Sequence, residues 1–221
     1  MQIPAQYINK NAIENNTIMK LLYKITYPAS CFFAKKNISP NTISIFSLIF
    51  AIISNIFFIL NFNTFFSFFW ILSLLLDFCD GTVARILNKK SSLNFNIDHY
   101  FDLIKIYLIL FSTVYKYFYS LNIFIFSFTF LFLLFFIELM NNDLNKLNLT
   151  IGSIKKFSEK SKFIKIIYTI IFSFNAHTLF LFILFTFNDS TALILLIYLN
   201  LILLKNFTIK WYQLLTIKKT K

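Results

Sequence analysis

Glycine, arginine, proline and cysteine are scarce in this chain. Its 221 residues include 2 glycines, 3 prolines and 2 cysteines, and Arg85 is the one arginine. Cys31 and Cys79 are 48 positions apart and belong to no cluster of the metal-ligand type. This spacing argues against a disulfide framework or a zinc site, and we expect two free, buried thiols.

Acidic residues are scarce as well. Nine Asp and Glu stand against 21 Lys and Arg, which gives a net charge of +12. Lysines that flank membrane spans produce such an excess under the positive-inside rule, and this explanation is preferred to nucleic-acid binding. No nucleic-acid partner is expected.

Apolar residues make up most of the remainder. Hydrophobic residues amount to 58% and aromatic residues to 20%, with a mean hydropathy of +0.70. These values are typical of a membrane protein rather than a soluble domain. Since one span takes about 20 residues, the length allows about six spans and no separate soluble catalytic domain.

The apolar runs predict an all-α integral membrane protein, a bundle of six transmembrane helices. The predicted spans are residues 42–62, 65–85, 95–119, 121–140, 166–187 and 192–207. Ser39 and Pro40 supply a start signal for the first span, and Asn94 or Asn96 is expected to cap the third.

An N-terminal interfacial amphipathic helix is predicted ahead of these spans. Residues 12–36 interleave apolar side chains with lysines, and Pro28 should end or bend the helix. The chain is therefore divided into a cytoplasmic juxtamembrane segment (1–40), a six-span domain (41–210) and a basic cytoplasmic tail (211–221).

The lysines also predict an orientation in the membrane. They concentrate in the N-terminal segment, in the connections 86–93 and 141–165 and in the C-terminal tail, while the alternate loops carry only Lys116. The positive-inside rule then places both termini on the cytoplasmic side of a multi-pass (inner) membrane protein.

The stretch of residues 77–102 differs from the rest of the chain. It contains Gly81, Arg85 and four of the six aspartates, which are Asp77, Asp80, Asp98 and Asp102. A carboxylate inside a membrane protein costs about 2.5–3.5 kcal/mol on insertion scales, so such groups indicate a functional site by default. The predicted orientation puts this site on the cytoplasmic side.

The spacing of these acids indicates the chemistry. The first two are three positions apart and the last two are four apart, so each pair shares one face of a helix. An all-oxygen ligand set suits Mg²⁺ or Mn²⁺, and two ions that promote phosphoryl chemistry are expected. Gly81 lets a ligand approach the backbone, and Arg85 offers a planar fork to a phosphate. The simpler alternative is four unrelated acids near helix ends.

One pattern in this stretch reads Asp77-x-x-Asp80-Gly81-x-x-Ala84-Arg85, eight further residues, then Asn94-x-x-x-Asp98-x-x-x-Asp102. It resembles the signature of the CDP-alcohol phosphatidyltransferase family (CDP-alcohol phosphotransferases) at seven of eight fixed positions. The exception is Asn94, where the family has glycine. The six-span plan and the segment Pro40-Asn41-x-Ile43-Ser44 are similar to the family as well.

The resemblance implies a role for each residue of the pattern. The metal pair is held by Asp77, Asp80, Asp98 and Asp102. Asp102 is also the general base of the reaction. The nucleotide site is lined by Asp80, Gly81, Ala84 and Arg85.

The implied reaction is the attack of an acceptor hydroxyl on the phosphorus that bears the alcohol of a CDP-alcohol, with release of CMP. The donor is most often CDP-diacylglycerol, so the expected process is phosphatidyl transfer in phospholipid biosynthesis. The implied partners are the CDP-linked donor, an alcohol acceptor, membrane lipid and, as a candidate, a second copy of the chain.

Three alternatives stay open at this point. The Asp98-His99 pair resembles choline and ethanolamine phosphotransferases, which use a water-soluble CDP-alcohol and a lipid acceptor. A small ion-coupled transporter would predict acids near the bilayer midplane and interrupted helices, which this sequence lacks. A non-enzymatic membrane scaffold leaves the clustering of the acids unexplained.

Overall fold

Helices form the described part of this computed structural model, which covers residues 17–88, 92–146 and 188–219. They are α1 Thr17–Lys35, α2 Pro40–Ile59, α3 Asn63–Ile86, α4 Ser92–Lys116, α5 Leu121–Lys146 and α6 Asp189–Lys219. No strand occurs in these ranges, which confirms the all-α prediction for them. The predicted fifth span, residues 166–187, lies outside the described residues.

Four of the described helices are long and apolar enough to cross a membrane. Their apolar stretches are Pro40–Ile59, Asn63–Ile86, Leu121–Leu144 and Asp189–Tyr212. Helix α4 is as long as these but carries two aspartates and two lysines. The chain is therefore an integral membrane protein, with four membrane-capable helices in its described part.

The start of α2 was predicted correctly, whereas the start of α4 was not. The Ser39 side chain accepts a hydrogen bond from the Thr42 amide at 3.2 Å, and Pro40 is the first helical residue. Helix α4 begins at Ser92, so Asn94 and Asn96 lie inside it rather than at the position before its first residue. The helix extends beyond the apolar run because backbone hydrogen bonding, rather than hydrophobicity, determines where a helix begins.

Asparagine ends the first three helices. After α2, the Asn61 amide donates to the Phe58 carbonyl at 3.2 Å and the Phe62 amide to the Phe57 carbonyl at 2.9 Å. This pair of bonds is the Schellman arrangement, which needs a left-handed residue at the turn. Such positive φ angles occur at Asn37 (54°), Asn61 (63°) and Asn88 (53°). Asparagine tolerates this conformation better than other non-glycine residues, and the chain has few glycines.

The structure divides into two units that are described separately, one ending at Lys116 and the other starting at Tyr117. In the first unit α2 packs antiparallel to α3 through small side chains. The hydroxyls of Ser47 and Ser73 each donate to the other residue's carbonyl, at 2.8 and 2.7 Å. Ser54 donates to the Phe66 carbonyl at 2.7 Å, and Ala51 is fully buried. Small residues allow two helix backbones to approach closely in this way.

Helix α1 packs on α3 with a polar and aromatic face. The buried side chains on this face are Tyr23, Thr26, Tyr27, Ser30 and Ala34. The Cys79 thiol of α3 contacts the Thr26 carbonyl at 3.7 Å, and Tyr23 meets Phe78 edge-to-face at 5.5 Å. Both cysteines are free, as predicted, although Cys31 is only half-buried.

Pro28 does not end α1. The helix continues seven residues further, to Lys35. Pro28 lies on the exposed side with Leu21, Ile25 and Phe32, opposite the face that packs on α3. An exposed apolar side is what an interfacial helix needs, but its contact with a membrane stays a prediction.

The second unit contains α5 and α6, which pack through leucine and phenylalanine side chains. The most deeply buried are Phe130, Leu196, Leu199 and Leu203. Asn200 of α6 donates to the Phe126 carbonyl of α5 at 2.9 Å and accepts from the Thr129 hydroxyl at 3.0 Å. Helix α6 runs on to Lys219, through most of the segment predicted as a tail.

Candidate active site

One partly exposed face of α3 carries most of the predicted nucleotide-site residues. Asp77, Gly81, Ala84 and Arg85 are spaced by four, three and one positions, so they lie on one side of the helix. All four are half-buried. Asp80, three positions from Asp77 and four from Ala84, lies at the edge of this face and is only 3% exposed.

Asp80 faces α2. The Ser44 hydroxyl donates to its Oδ2 at 2.6 Å, and Ser44 itself is 4% exposed. A hydrogen bond to a charged group contributes about 1.5–3 kcal/mol, more than one between neutral groups. Ser44 therefore fixes the orientation of the most deeply buried carboxylate described in this stretch.

Lys105 of α4 connects two of the predicted site acids. Its Nζ donates to Oδ1 of Asp77 and, at 3.3 Å, to Oδ1 of Asp102. The lysine side chain is 6% exposed, whereas Asp77 is 21% and Asp102 47% exposed. The structure thus brings Asp77 and Asp102, from different helices, onto one ammonium group.

The residues brought together are a subset of the predicted metal ligands. The side chains of residues 92–99, including Asp98, lie outside the described part. Among the described side chains, no three acids, histidines or cysteines gather as a metal site. The donors nevertheless suit a hard cation, since Asp77 and Asp102 present carboxylate oxygens that already converge on one positive charge, Lys105.

Arg85 folds back along α3. Its Cζ lies 5.7 Å from the centre of the Tyr23 ring, a cation–π distance. A Cβ at Gly81 would lie 3.5 Å from Arg85 Nη2, which is an ordinary contact. Packing among the described residues therefore tolerates a side chain at Gly81, and the glycine leaves this face open to a ligand.

Three residues at the site were not identified from the sequence as members of it. Lys105 carried a usable signal, because it lies three residues after Asp102 in an apolar run and charged groups in such runs are functional by default. Ser44 was noted only as part of a family-like segment. Tyr23 carried no signal, since its contact with Arg85 depends on how α1 packs.

Comparison with known families decides the assignment. The model of the CDP-alcohol phosphatidyltransferase family matches residues 37–217, which include α2 to α5 and nearly all of α6. The chain belongs to this family. No curated protein sequence matches the chain.

CDP-alcohol phosphatidyltransferases are phosphotransferases that move a phosphate-bearing group from a CDP-alcohol in lipid synthesis, so this chain is a membrane enzyme. The family match favours this class over a transporter or a scaffold. Family members generally depend on a divalent metal ion. The acid-lined region between α3 and α4 is the part of the described structure that suits such chemistry.

Proposed function

We propose that the enzyme transfers a phosphatidyl group from CDP-diacylglycerol to the hydroxyl of a small polar alcohol and releases CMP. The observation that carries the proposal is the convergence of Asp77 and Asp102, on neighbouring helices, at one cation position. Beside it lies the open face of α3 with Gly81 and Arg85. A cation site next to a phosphate-binding surface is what phosphoryl transfer needs.

Asp77, Asp80, Asp98 and Asp102 are the proposed holders of Mg²⁺ or Mn²⁺, as two ions. When bound, these ions would neutralise charge on the transferred phosphate and on the leaving group. Ser44 orients Asp80 through its hydrogen bond, and the burial of Asp80 excludes water from that carboxylate. The chain therefore supplies fixed oxygen donors on α3 and α4.

Asp102 is the proposed general base. Its side chain is 47% exposed, so an acceptor hydroxyl can reach it, whereas Asp80 is 3% exposed and bonded to Ser44. The acceptor oxygen bonds to the phosphorus that carries the alcohol, and the bond from that phosphorus to the CMP oxygen breaks. CMP leaves with the electron pair of this bond, and the acceptor's proton passes to Asp102.

The nucleotide is proposed to bind on the face of α3 that carries Gly81, Ala84 and Arg85, next to Asp80. Arg85 is held by the Tyr23 ring and presents a planar fork suited to a phosphate. Gly81 and Ala84 leave room for a ligand close to the helix. Asn94, where the family has glycine, lies within helix α4 and has no positive φ.

Six spans with both termini in the cytoplasm are proposed as the topology. The segment 1–40, the span domain 41–210 and the tail 211–221 follow from it. Cysteine labelling of a Cys-free variant at Ser91 and Ser158 tests the orientation in intact cells. Labelling of either position from outside would contradict it.

A donor-by-acceptor panel tests the reaction. Purified enzyme is supplied with CDP-diacylglycerol or water-soluble CDP-alcohols, and with inositol phosphate, glycerol phosphate, serine or lipid acceptors, while CMP release is measured. We expect release with CDP-diacylglycerol and one polar acceptor, and complete loss in EDTA. Release from a water-soluble donor alone would favour the choline-like alternative, and full activity in EDTA would remove the proposed metal site.

A further inference from the structure

Lys105 differs from the other groups at this site because it is a cation where a cation is expected to bind. It is 5% exposed and lies in α4 beside the buried Ile106 and Ile109. A buried charge is costly unless it is paired, and Lys105 pairs with both Asp77 and Asp102. The lysine therefore holds α3 and α4 together through the proposed metal ligands themselves.

A divalent ion on these two carboxylates would meet the Lys105 ammonium. Nζ bonds to Oδ1 of Asp77 and to Oδ1 of Asp102, so an ion that binds these two atoms competes with the lysine for them. Two cations at contact distance repel each other, and strongly so where little water screens them. The lysine and the ion thus exclude each other from the oxygens that Nζ now contacts.

A lysine side chain can move away from the carboxylates when an ion binds them. Its ammonium sits on a flexible four-carbon stem and can leave without disturbing the backbone, unlike an arginine held in a fixed fork. Asp102 is nearly half exposed, so an ion has access to this carboxylate from outside.

We propose that Lys105 is a displaceable counter-ion that offsets one of the two negative charges of Asp77 and Asp102 in the metal-free enzyme and competes with the divalent ion for these carboxylates. The inference rests on the proposed function in that these acids bind a divalent cation. It adds that metal affinity is limited by the lysine, and that the metal-free protein depends on the lysine for its stability.

Mn²⁺ alone provides the first test. Purified full-length protein in detergent micelles, without nucleotide, is titrated with Mn²⁺ while the electron paramagnetic resonance signal of the free ion is followed. Lys105→Met should bind Mn²⁺ about tenfold more tightly than the wild type, because the competing ammonium is gone; outer-shell residues change metal affinity by factors of this order. Its Tm without metal should fall, and saturating Mn²⁺ should raise that Tm by more than it raises the wild-type Tm.

Lys116→Met is the matched control. This lysine lies on the same helix, where its Nζ donates to Asn63 Oδ1 at 3.2 Å and lies 4.1 Å from the centre of the Phe58 ring. Its substitution should leave the Mn²⁺ affinity within about twofold of the wild type, because distant sites act independently. An unchanged or weaker Mn²⁺ affinity in Lys105→Met would overturn the proposal.

Footprinting of the wild type covers the case in which Lys105→Met does not fold. Lysines are acetylated with and without Mn²⁺ and read by mass spectrometry. Lys105 should become more reactive in Mn²⁺ while Lys116 stays constant, and unchanged or lower reactivity of Lys105 would overturn the competition. Wild-type protein that binds no Mn²⁺ would remove the metal site as well, whereas bound Mn²⁺ without any Lys105 effect removes the competition alone.

Discussion

The two ends of the α2–α3–α4 packing bury polar groups in different ways. At the far end (Ser54, Phe58, Asn63, Phe66 and Lys116), a serine donates to a backbone carbonyl and a lysine lies against an amide and an aromatic ring. At the acid end (Ser44, Asp77, Asp80, Asp102 and Lys105), the partners are carboxylates. The partners at the far end are neutral, whereas the acid end gathers charges of both signs.

This difference distinguishes a structural part of the helix packing from the candidate site. Neutral partners satisfy a buried donor at modest cost, and they attract no ion. Among the described side chains, the acid end holds three carboxylates, Asp77, Asp80 and Asp102, and Lys105 pairs with two of them. Charged groups in an apolar protein are costly and indicate a functional site by default.

The largest expected effect is at the acid end, on chemistry. Asp102→Asn keeps the shape of the side chain but removes the base, so turnover should fall by about 10² or more. Binding of the CDP-donor with Mn²⁺ should change little, while Asp80→Asn should weaken metal and nucleotide binding together. CMP release and donor titration measure the two effects.

Asp143→Asn is the control for this substitution, since Asp143 is an exposed acid in the second unit and should tolerate the change. Near-normal turnover by Asp102→Asn would rule out its role as the base.

A pair of serine variants compares the two ends directly. Ser44→Ala removes the donor to the buried Asp80 carboxylate and should cost about 1.5–3 kcal/mol of unfolding free energy. Ser54→Ala removes a donor to a backbone carbonyl and should cost about 0.5–1.5 kcal/mol. Unfolding in mixed micelles measures both. Equal costs would mean that the charge of Asp80 does not distinguish the ends.

A smaller effect on donor binding is expected from a residue of α1, Tyr23, which contacts Arg85. Tyr23→Leu removes the ring under the Arg85 guanidinium and should weaken donor binding about two- to fivefold, the value of an accessible cation–π contact. Tyr23→Phe keeps the ring and should bind the donor normally. Equal affinities for the Leu and Phe variants would show that the contact does not position Arg85.

The smallest effect should be the same at both ends. Asn61→Gly at the far end and Asn88→Gly at the acid end each relieve a left-handed backbone angle. Each should stabilise the protein by a few tenths to about 1 kcal/mol, as glycine adopts this conformation without strain. Thermal unfolding in detergent measures the gain, and a loss at either position would show that the asparagine side chain has a role of its own.

Sequence reasoning succeeded where the cause is local. The cap at Ser39 and the helix that starts at Pro40 depend on neighbouring residues alone, and the structure shows both. The all-helical class follows from apolar runs long enough to span a membrane. Asp77 of α3 and Asp102 of α4 share Lys105, whereas metal binding by all four aspartates stays a prediction.

It failed where the cause is tertiary. The bond from Ser44 to Asp80 joins residues 36 positions apart and depends on the register of α2 against α3. The aliphatic residues of α1 predict an apolar face, yet the face that packs on α3 includes Tyr23, Thr26 and Ser30. Pro28 was expected to end or bend α1, and the helix continues past it to Lys35.

The asparagines that end the helices affect which amino-acid compositions this fold can accept. Glycine codons are rich in guanine, whereas asparagine codons, like those of the abundant lysine, isoleucine and phenylalanine, are rich in adenine and thymine. Because Asn37, Asn61 and Asn88 carry the left-handed turns, a genome that drifts in base composition can discard glycine from its loops and still end its helices. Gly81 differs from these positions, since it lies inside helix α3 and ends no helix.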